Sequence, residues 1–292
     1  MISIIISSYQ NSYYEKLKKN IEKTCGVEYE IIKINNTDKT PITEVYNLGG
    51  KRAKYPYFLF IHEDILFHTE DWGIKLLNHL NQKDTGIIGV AGSSYIVNVP
   101  SSWFLTDCDF VHTSFIQNTR TGDRSVKRNL NIQSNRTEVF KLDGMFLGMR
   151  REVFNKFQFN EKIKGFHGYD TDISLRIANR YRNFVVADII VEHFSGGKLT
   201  HEWIDTHLYI RRHTPHPKMS FYDEKLETDM FIFYSSLLFD NLKFSIPTII
   251  KSLTFFPRKP SITSIKKNLR FYIKIVIKNV QYYSFKIKKG FS

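Results

Sequence analysis

The chain opens on ISIII, a β-branched run at residues 2–6 with no polar alternation. A strand of that kind is buried on both faces, which places it inside a parallel sheet. Parallel strands need crossover connections of a dozen or more residues, usually helices, and the following sequence supplies them. Tyr14, Leu17, Ile21 and Cys25 recur at helical spacing, residues 30–34 form a second strand, and Pro41 opens a helix through Ile42, Val45 and Leu48. Residues 57–61 make the third strand, so the order is βαβαβ. Such units cross over right-handed and bind ligands beyond the carboxyl ends of their strands. Residues 7–9, 35–38 and 62–64 all fall there.

The third strand lies within FLFIHEDILFH, where an apolar run delivers His62, Glu63 and Asp64 and then turns apolar again at Ile65. Burying one unpaired carboxylate costs several kcal/mol, so either a cation compensates these acids or they cap the next segment and stay solvated. There is no Gly-rich phosphate loop of the dinucleotide or P-loop type. Acids in a phosphate pocket require a divalent cation between them and the oxygens, and Asp64 offers the hard ligand that Mn2+ or Mg2+ prefers.

Further on, Thr69 is placed to cap a helix carrying Trp72, Leu76, Leu77 and Leu80, and residues 86–91 read as another buried strand. Residues 93–137 show no clean period. They hold Trp103, Asp107, Asp109, His112 and the basic residues Arg120, Arg124, Lys127 and Arg128, and are predicted to be an irregular excursion serving acceptor binding or a lid. Strands at 138–142 and 145–149 then flank Asp143, and a short helix covers 151–157. In GFHGYDTDISLRIANRY a helix starts near Asp170 with Ile173, Ile177 and Tyr181 on one face. Asp170 and Asp172 either cap that helix or do chemistry. A closing strand at 184–191 ends in Glu192 and His193, and His193 is either structural or a ligand.

The net charge of +13 suggests nucleic acid until it is located. Twelve Lys and Arg residues and no acid lie from residue 241 onward, which leaves the first 240 residues near neutral. Beyond Pro260, Ile265, Leu269, Tyr272, Val276, Val280 and Tyr283 are predicted to form an apolar helical stripe, with Lys266, Arg270, Lys274 and Lys278 four apart beside it. That basic amphipathic helix either docks on the rest of the chain or lies on an anionic membrane surface. It lacks a groove-reading element, so no nucleic-acid partner is expected. Two cysteines, no apolar stretch of spanning length and no basic start to MISIIISSYQ predict a cytoplasmic chain, peripheral at the inner face of the membrane if the helix binds there.

The succession ISIIISSYQ, ITEVYNLGGKRAKYP leading into FLFIHEDILF, KLDGMFLGMRREVF, GFHGYDTDISLR and VEHFSGG resembles bacterial family 2 glycosyltransferases, in particular their glycosyltransferase-like branch. The resemblance implies an α/β fold of GT-A type: a Rossmann-like mixed, mostly parallel sheet flanked by helices, over residues 1–215, with a helical basic extension over 216–292. It further implies that Asp64 and His193 hold Mn2+ or Mg2+, with His62 standing where the family has its first acid. Ser7, Tyr9 and Asn36 would lie by the nucleobase and ribose, Asn47 and Lys51 by the phosphates, and Glu63 near the ribose or metal shell. Asp143 would contact the sugar or acceptor, and Asp170, with Asp172 as second choice, would be the general base. The implied enzyme is an inverting hexosyl- or N-acetylhexosaminyltransferase. It would use a UDP-sugar and a glycan or lipid-linked acceptor in bacterial surface-polysaccharide synthesis. A sugar nucleotidyltransferase and a non-catalytic membrane-docked binding module are the alternatives.

Overall fold

The computed structural model describes residues 1–118, 124–129, 135–197, 199–242 and 245–288. Arg120, Lys243 and Lys289 lie outside these residues, as do the side chains of Val280, Tyr283, Lys286 and Lys288. Two compact units are formed. The first comprises Met1–Ile96, Ser102–Lys198 and Glu202–Met219, and the second Val97–Ser101, Leu199–His201 and Ser220–Ser292.

The first unit begins β1 (Ile2–Ser8), α1 (Asn11–Thr24), β2 (Tyr29–Asn35), α2 (Ile42–Arg52), β3 (Tyr57–His62). It continues β4 (Ile65–Phe67), α3 (Trp72–Leu80), β5 (Thr85–Gly89), β6 (Ala91–Ser93), β7 (Val111–Asn118), β8 (Arg124–Asn129), β9 (Arg136–Val139) and β10 (Lys141–Leu142). After these come β11 (Phe146–Arg150), α4 (Arg151–Phe157), α5 (Tyr169–Ala178), β12 (Arg182–Val186), β13 (Val191–His193) and α6 (His201–His213). β1 pairs in parallel with β2 on one side and β3 on the other, and Ile2, Ile4, Ile5 and Ile6 are all fully buried, as an uninterrupted apolar strand requires.

One sheet has the order β2-β1-β3-β11-β5-β12-β9 and the other β10-β6-β7-β13-β4, with β8 added on β7. β11 runs antiparallel to β3 and β5, and β12 antiparallel to β9, so five of the seven strands of the larger sheet point one way. The chain passes from the larger sheet to the smaller at β3/β4, β5/β6, β9/β10 and β12/β13. The first of these crossings carries Glu63 and Asp64 in its turn. Phe58, Leu59, Phe60 and Ile61 before it and Ile65 and Phe67 after it are buried, because both strands serve a core. An apolar run broken by two acids is the sequence trace of a strand changing sheets.

The strand expected at 86–91 is two strands, and so is that at 184–191, each divided by a crossing. Residues 93–137 are not one irregular excursion: β7 and β8 form a hairpin ladder from Thr113–Asn129 to Asn118–Arg124, and β9 begins at Arg136. β8 hid from the pattern because almost all of it is exposed, and a charged edge strand has no apolar face to alternate. Thr69 caps nothing; its hydroxyl accepts the Ile190 amide at 2.9 Å, and α3 starts from Asp71 in the left-handed region at φ 53°.

The second unit holds α7 (Glu224–Asn241), α8 (Ile246–Leu253) and α9 (Ile262–Lys288). The side chains of Asp223 and Ser245 cap α7 and α8 by accepting the amides of Leu226 and Thr248. Leu226, Met230, Phe231, Tyr234, Leu238 and Phe255 are buried, and the Tyr272 ring of α9 stacks on Phe231 with centroids 5.8 Å apart. The helix after Pro260 is present, but only part of the expected stripe turns inward. Asn268 is buried and Tyr272 half-buried, while Ile265 and Leu269 are exposed. Anchoring at Tyr272 sets the rotation, and one turn earlier the helix presents Asn268. Among the described residues no helix is long and apolar enough to cross a membrane.

Candidate active site

β1, β2 and β3 run parallel, so their carboxyl ends open on one edge of the sheet. A cavity of about 530 Å3 lies there, and Ser7, Tyr9, Asn36, His62, Glu63 and Asp64 line it together with Lys39, Tyr46, Phe166, Tyr169 and Ser195. Polar side chains reach one space because each strand ends its apolar run at the same level.

Three ligand-type groups converge at this edge. One donor atom each of His62, Asp64 and His193 lies within 4.8 Å of the others. His62 Nδ1 is 3.9 Å and His193 Nε2 3.7 Å from Asp64 Oδ1. The three come from the last residue of β3, the turn between sheets and the last residue of β13. Burial would push the Asp64 carboxyl up, but the His62 and His193 imidazoles and the Ser195 hydroxyl together hold it below the ordinary value, so it stays ionised. Burial pushes His193 below the ordinary imidazole value against the pull of Asp64, which keeps a lone pair available. The Tyr169 hydroxyl lies 2.7 Å from His62 Nε2 and leaves Nδ1 directed toward Asp64. Two imidazoles and one carboxylate fit a divalent cation. His62, which stands where the family has its first acid, is among the possible ligands.

Glu63 points elsewhere. Its Oε1 accepts the backbone amides of Tyr9 at 3.2 Å and Gln10 at 2.9 Å, which fixes the chain where β1 leads into α1. Its Oε2 is buried without a partner. Asn36 donates from Nδ2 to Ser7 Oγ at 3.2 Å and to the Thr40 carbonyl at 2.9 Å, while its Oδ1 is likewise buried and unpartnered. Two orphaned acceptors in the lining of one cavity are a cost that a ligand with donors would remove.

The second acidic group is built by α5. Gly168, at φ 74°, turns the chain into the helix, and Tyr169 and Asp170 occupy its first turn. Asp170 Oδ2 accepts the Gly144 amide at 3.0 Å and Oδ1 its neighbour Thr171 amide at 2.7 Å. A Cβ on Gly144 would stand 2.0 Å from the Tyr169 hydroxyl, so this loop can approach α5 only as glycine. Burial, and then the charge of Asp143, raise the Asp170 carboxyl to about 7. Asp143 itself accepts the Met145 amide at 2.7 Å and Trp103 Nε1 at 2.6 Å.

The structure gathers Ser7, Tyr9, Asn36, Glu63 and Asp64 at the cavity and places His193 beside Asp64 and Asp143 beside Asp170. It separates three others. Asn47 is buried and clamps the loop after α4, donating to the Phe159 carbonyl and Glu161 and accepting the Phe159 amide at 2.8 Å. Lys51 is exposed in the last turn of α2, and the lysine that lines the cavity is Lys39. Asp172 is fully buried, paired with Arg176 at 2.8 Å and hydrogen-bonded by Thr214. Sequence reasoning missed Lys39, Tyr46, Phe166 and Ser195. Only Ser195 carried a signal, standing two residues after His193, just past the end of β13.

The mixed, mostly parallel sheet with its βαβαβ start and acids at the β3 turn has the fold of the GT-A class of glycosyltransferases. The chain belongs to the glycosyltransferase-like family, whose model matches residues 3–214, within the family 2 glycosyltransferases. No curated protein sequence matches it. Among solved structures, GalNAc-T7 with UDP, GalNAc and Mn2+ is similar at a TM-score of 0.52 and 11% identity over 94% of this chain. This chain spans 57% of the GalNAc-T7 chain. The TarS 1–349 structure from S. aureus is similar at a TM-score of 0.51 and 12% identity, covering 99% of this chain and 91% of that one.

Proposed function

We propose that the chain is a metal-dependent, inverting glycosyltransferase that takes a hexosyl or N-acetylhexosaminyl group from a UDP-sugar. One observation carries this reading: a cavity with two unpartnered buried acceptors, Asn36 Oδ1 and Glu63 Oε2, is bordered by the cation-type set His62, Asp64 and His193. A nucleoside diphosphate has matching chemistry. The base offers an N–H to Asn36, the ribose a hydroxyl to Glu63, and the diphosphate needs a cation. The fold neighbour GalNAc-T7 is itself a complex with UDP and Mn2+. Lys39 adds a positive charge at the cavity.

His62, Asp64 and His193 would hold a divalent ion, which would supply Lewis-acid neutralisation of the leaving diphosphate. Asp170 takes the proton of the acceptor hydroxyl as that oxygen bonds to the anomeric carbon and the bond to the diphosphate breaks. One in-line displacement inverts the configuration. Asp143 sets the basicity of Asp170, and Tyr169 orients His62. The acceptor is a glycan or a lipid-linked sugar of bacterial surface-polysaccharide synthesis, met at the inner face of the membrane. The basic C-terminal helix supports that last element.

Incubation with a panel of nucleotide sugars and Mn2+ is expected to release UDP from one donor and to give a product of opposite anomeric configuration by NMR. Retained configuration overturns the single displacement, and no release from any donor favours a binding module. Tyr169→Phe is expected to weaken Mn2+ binding by about 10–100-fold, the usual effect of losing a group that orients a ligand, as read by calorimetric titration. Unchanged affinity would remove Tyr169 from the site.

A further inference from the structure

On α9 the residues Ile262, Ile265, Leu269, Ile273 and Ile277 are all exposed, Leu269 by 58% and Ile273 by 50%. Their spacing of three and four winds them into one stripe at about 100° per residue. The stripe is not a core face in waiting, because α9 already packs through another side, where Asn268 is buried and Tyr272 stacks on Phe231. Lys266, Arg270, Lys274 and Lys278 each follow one residue behind a member of the stripe, so a basic row runs along its edge. All four are exposed, and no acid among the described residues pairs with them, whereas Lys267 is held by Asp229.

We propose that this face of α9 docks on a bilayer surface rich in anionic lipid. A nucleic-acid backbone would match the basic row but offer nothing to five aliphatic side chains. A second copy of the chain that met the stripe with its own stripe would bring two basic rows together, with no acid from residue 241 onward to offset them. An anionic bilayer matches both features: headgroup phosphates take the ammonium and guanidinium groups, and the acyl boundary takes the isoleucines and leucine. Docking of this kind belongs to the second unit alone and holds whatever the first unit catalyses.

The test is flotation of the full chain with phosphatidylcholine vesicles and with vesicles that also contain phosphatidylglycerol. The expected preference for the anionic vesicles is about tenfold or more, falling with added salt. The combined Lys266→Gln, Arg270→Gln, Lys274→Gln and Lys278→Gln variant should lose that preference. The Leu269→Glu, Ile273→Glu variant should lose binding to both vesicle types while its circular dichroism melt is unchanged, since both side chains are exposed. Should those changes disturb folding, Ile273→Trp provides a second reading, with fluorescence expected to shift to the blue on anionic vesicles. No flotation of the full chain, or no shift from Ile273→Trp, overturns the proposal. So does binding to duplex DNA, or a dimer lost in the aliphatic variant, when either occurs without vesicle binding.

Discussion

Asp64→Ala is expected to lower UDP release by about a thousandfold or more, since Lewis-acid stabilisation of a leaving diphosphate amounts to several kcal/mol and each ~1.4 kcal/mol is a factor of ten. The carboxylate stands between His62 and His193, and those two rings with Ser195 hold it below its ordinary value against burial. Its removal leaves two imidazoles, a weak set for Mn2+. The backbone survives the change, because the Asp64 carbonyl, not its side chain, accepts the Phe194 amide at 3.0 Å. Melting temperature should therefore hold while Mn2+ binding collapses in a calorimetric titration. Unaltered turnover together with unaltered Mn2+ affinity would falsify the assignment of Asp64.

Asp170→Asn is the second large effect, a loss of about 10²–10⁴ in kcat/KM, the range of a positioned general base. A base acts deprotonated, and burial with Asp143 nearby raises Asp170 to about 7. Wild-type kcat/KM should accordingly rise with pH through a midpoint near that value and level off above it, whereas Asp170→Asn should be low and flat. Asp143→Asn removes the neighbouring charge and should move the midpoint to lower pH. A wild-type profile without an inflection around neutrality, or full activity in Asp170→Asn, would assign proton removal elsewhere.

The βαβαβ start was legible because burial on both faces writes an uninterrupted apolar run, and the position of Asp64 was legible because acids rarely interrupt one. What remained hidden depends on partners far along the chain. Asn47 has the amide of a phosphate ligand until Phe159 is seen to accept and donate to it. Asp172 has the carboxylate of a base until Arg176 and Thr214 occupy both oxygens. α9 shows an apolar stripe in sequence, and only the contact of Tyr272 with Phe231 decides which part of it turns inward. β8 carried no signal, being exposed along nearly its whole length.

His62 ends a strand of the larger sheet, His193 ends a strand of the smaller, and Asp64 sits in the turn that joins them. An ion gripped by all three would act as a rivet through the seam between the two layers. Occupancy and mechanical coupling of the layers would then be a single thermodynamic quantity, and loading the site would stiffen the wall against which the donor must lie.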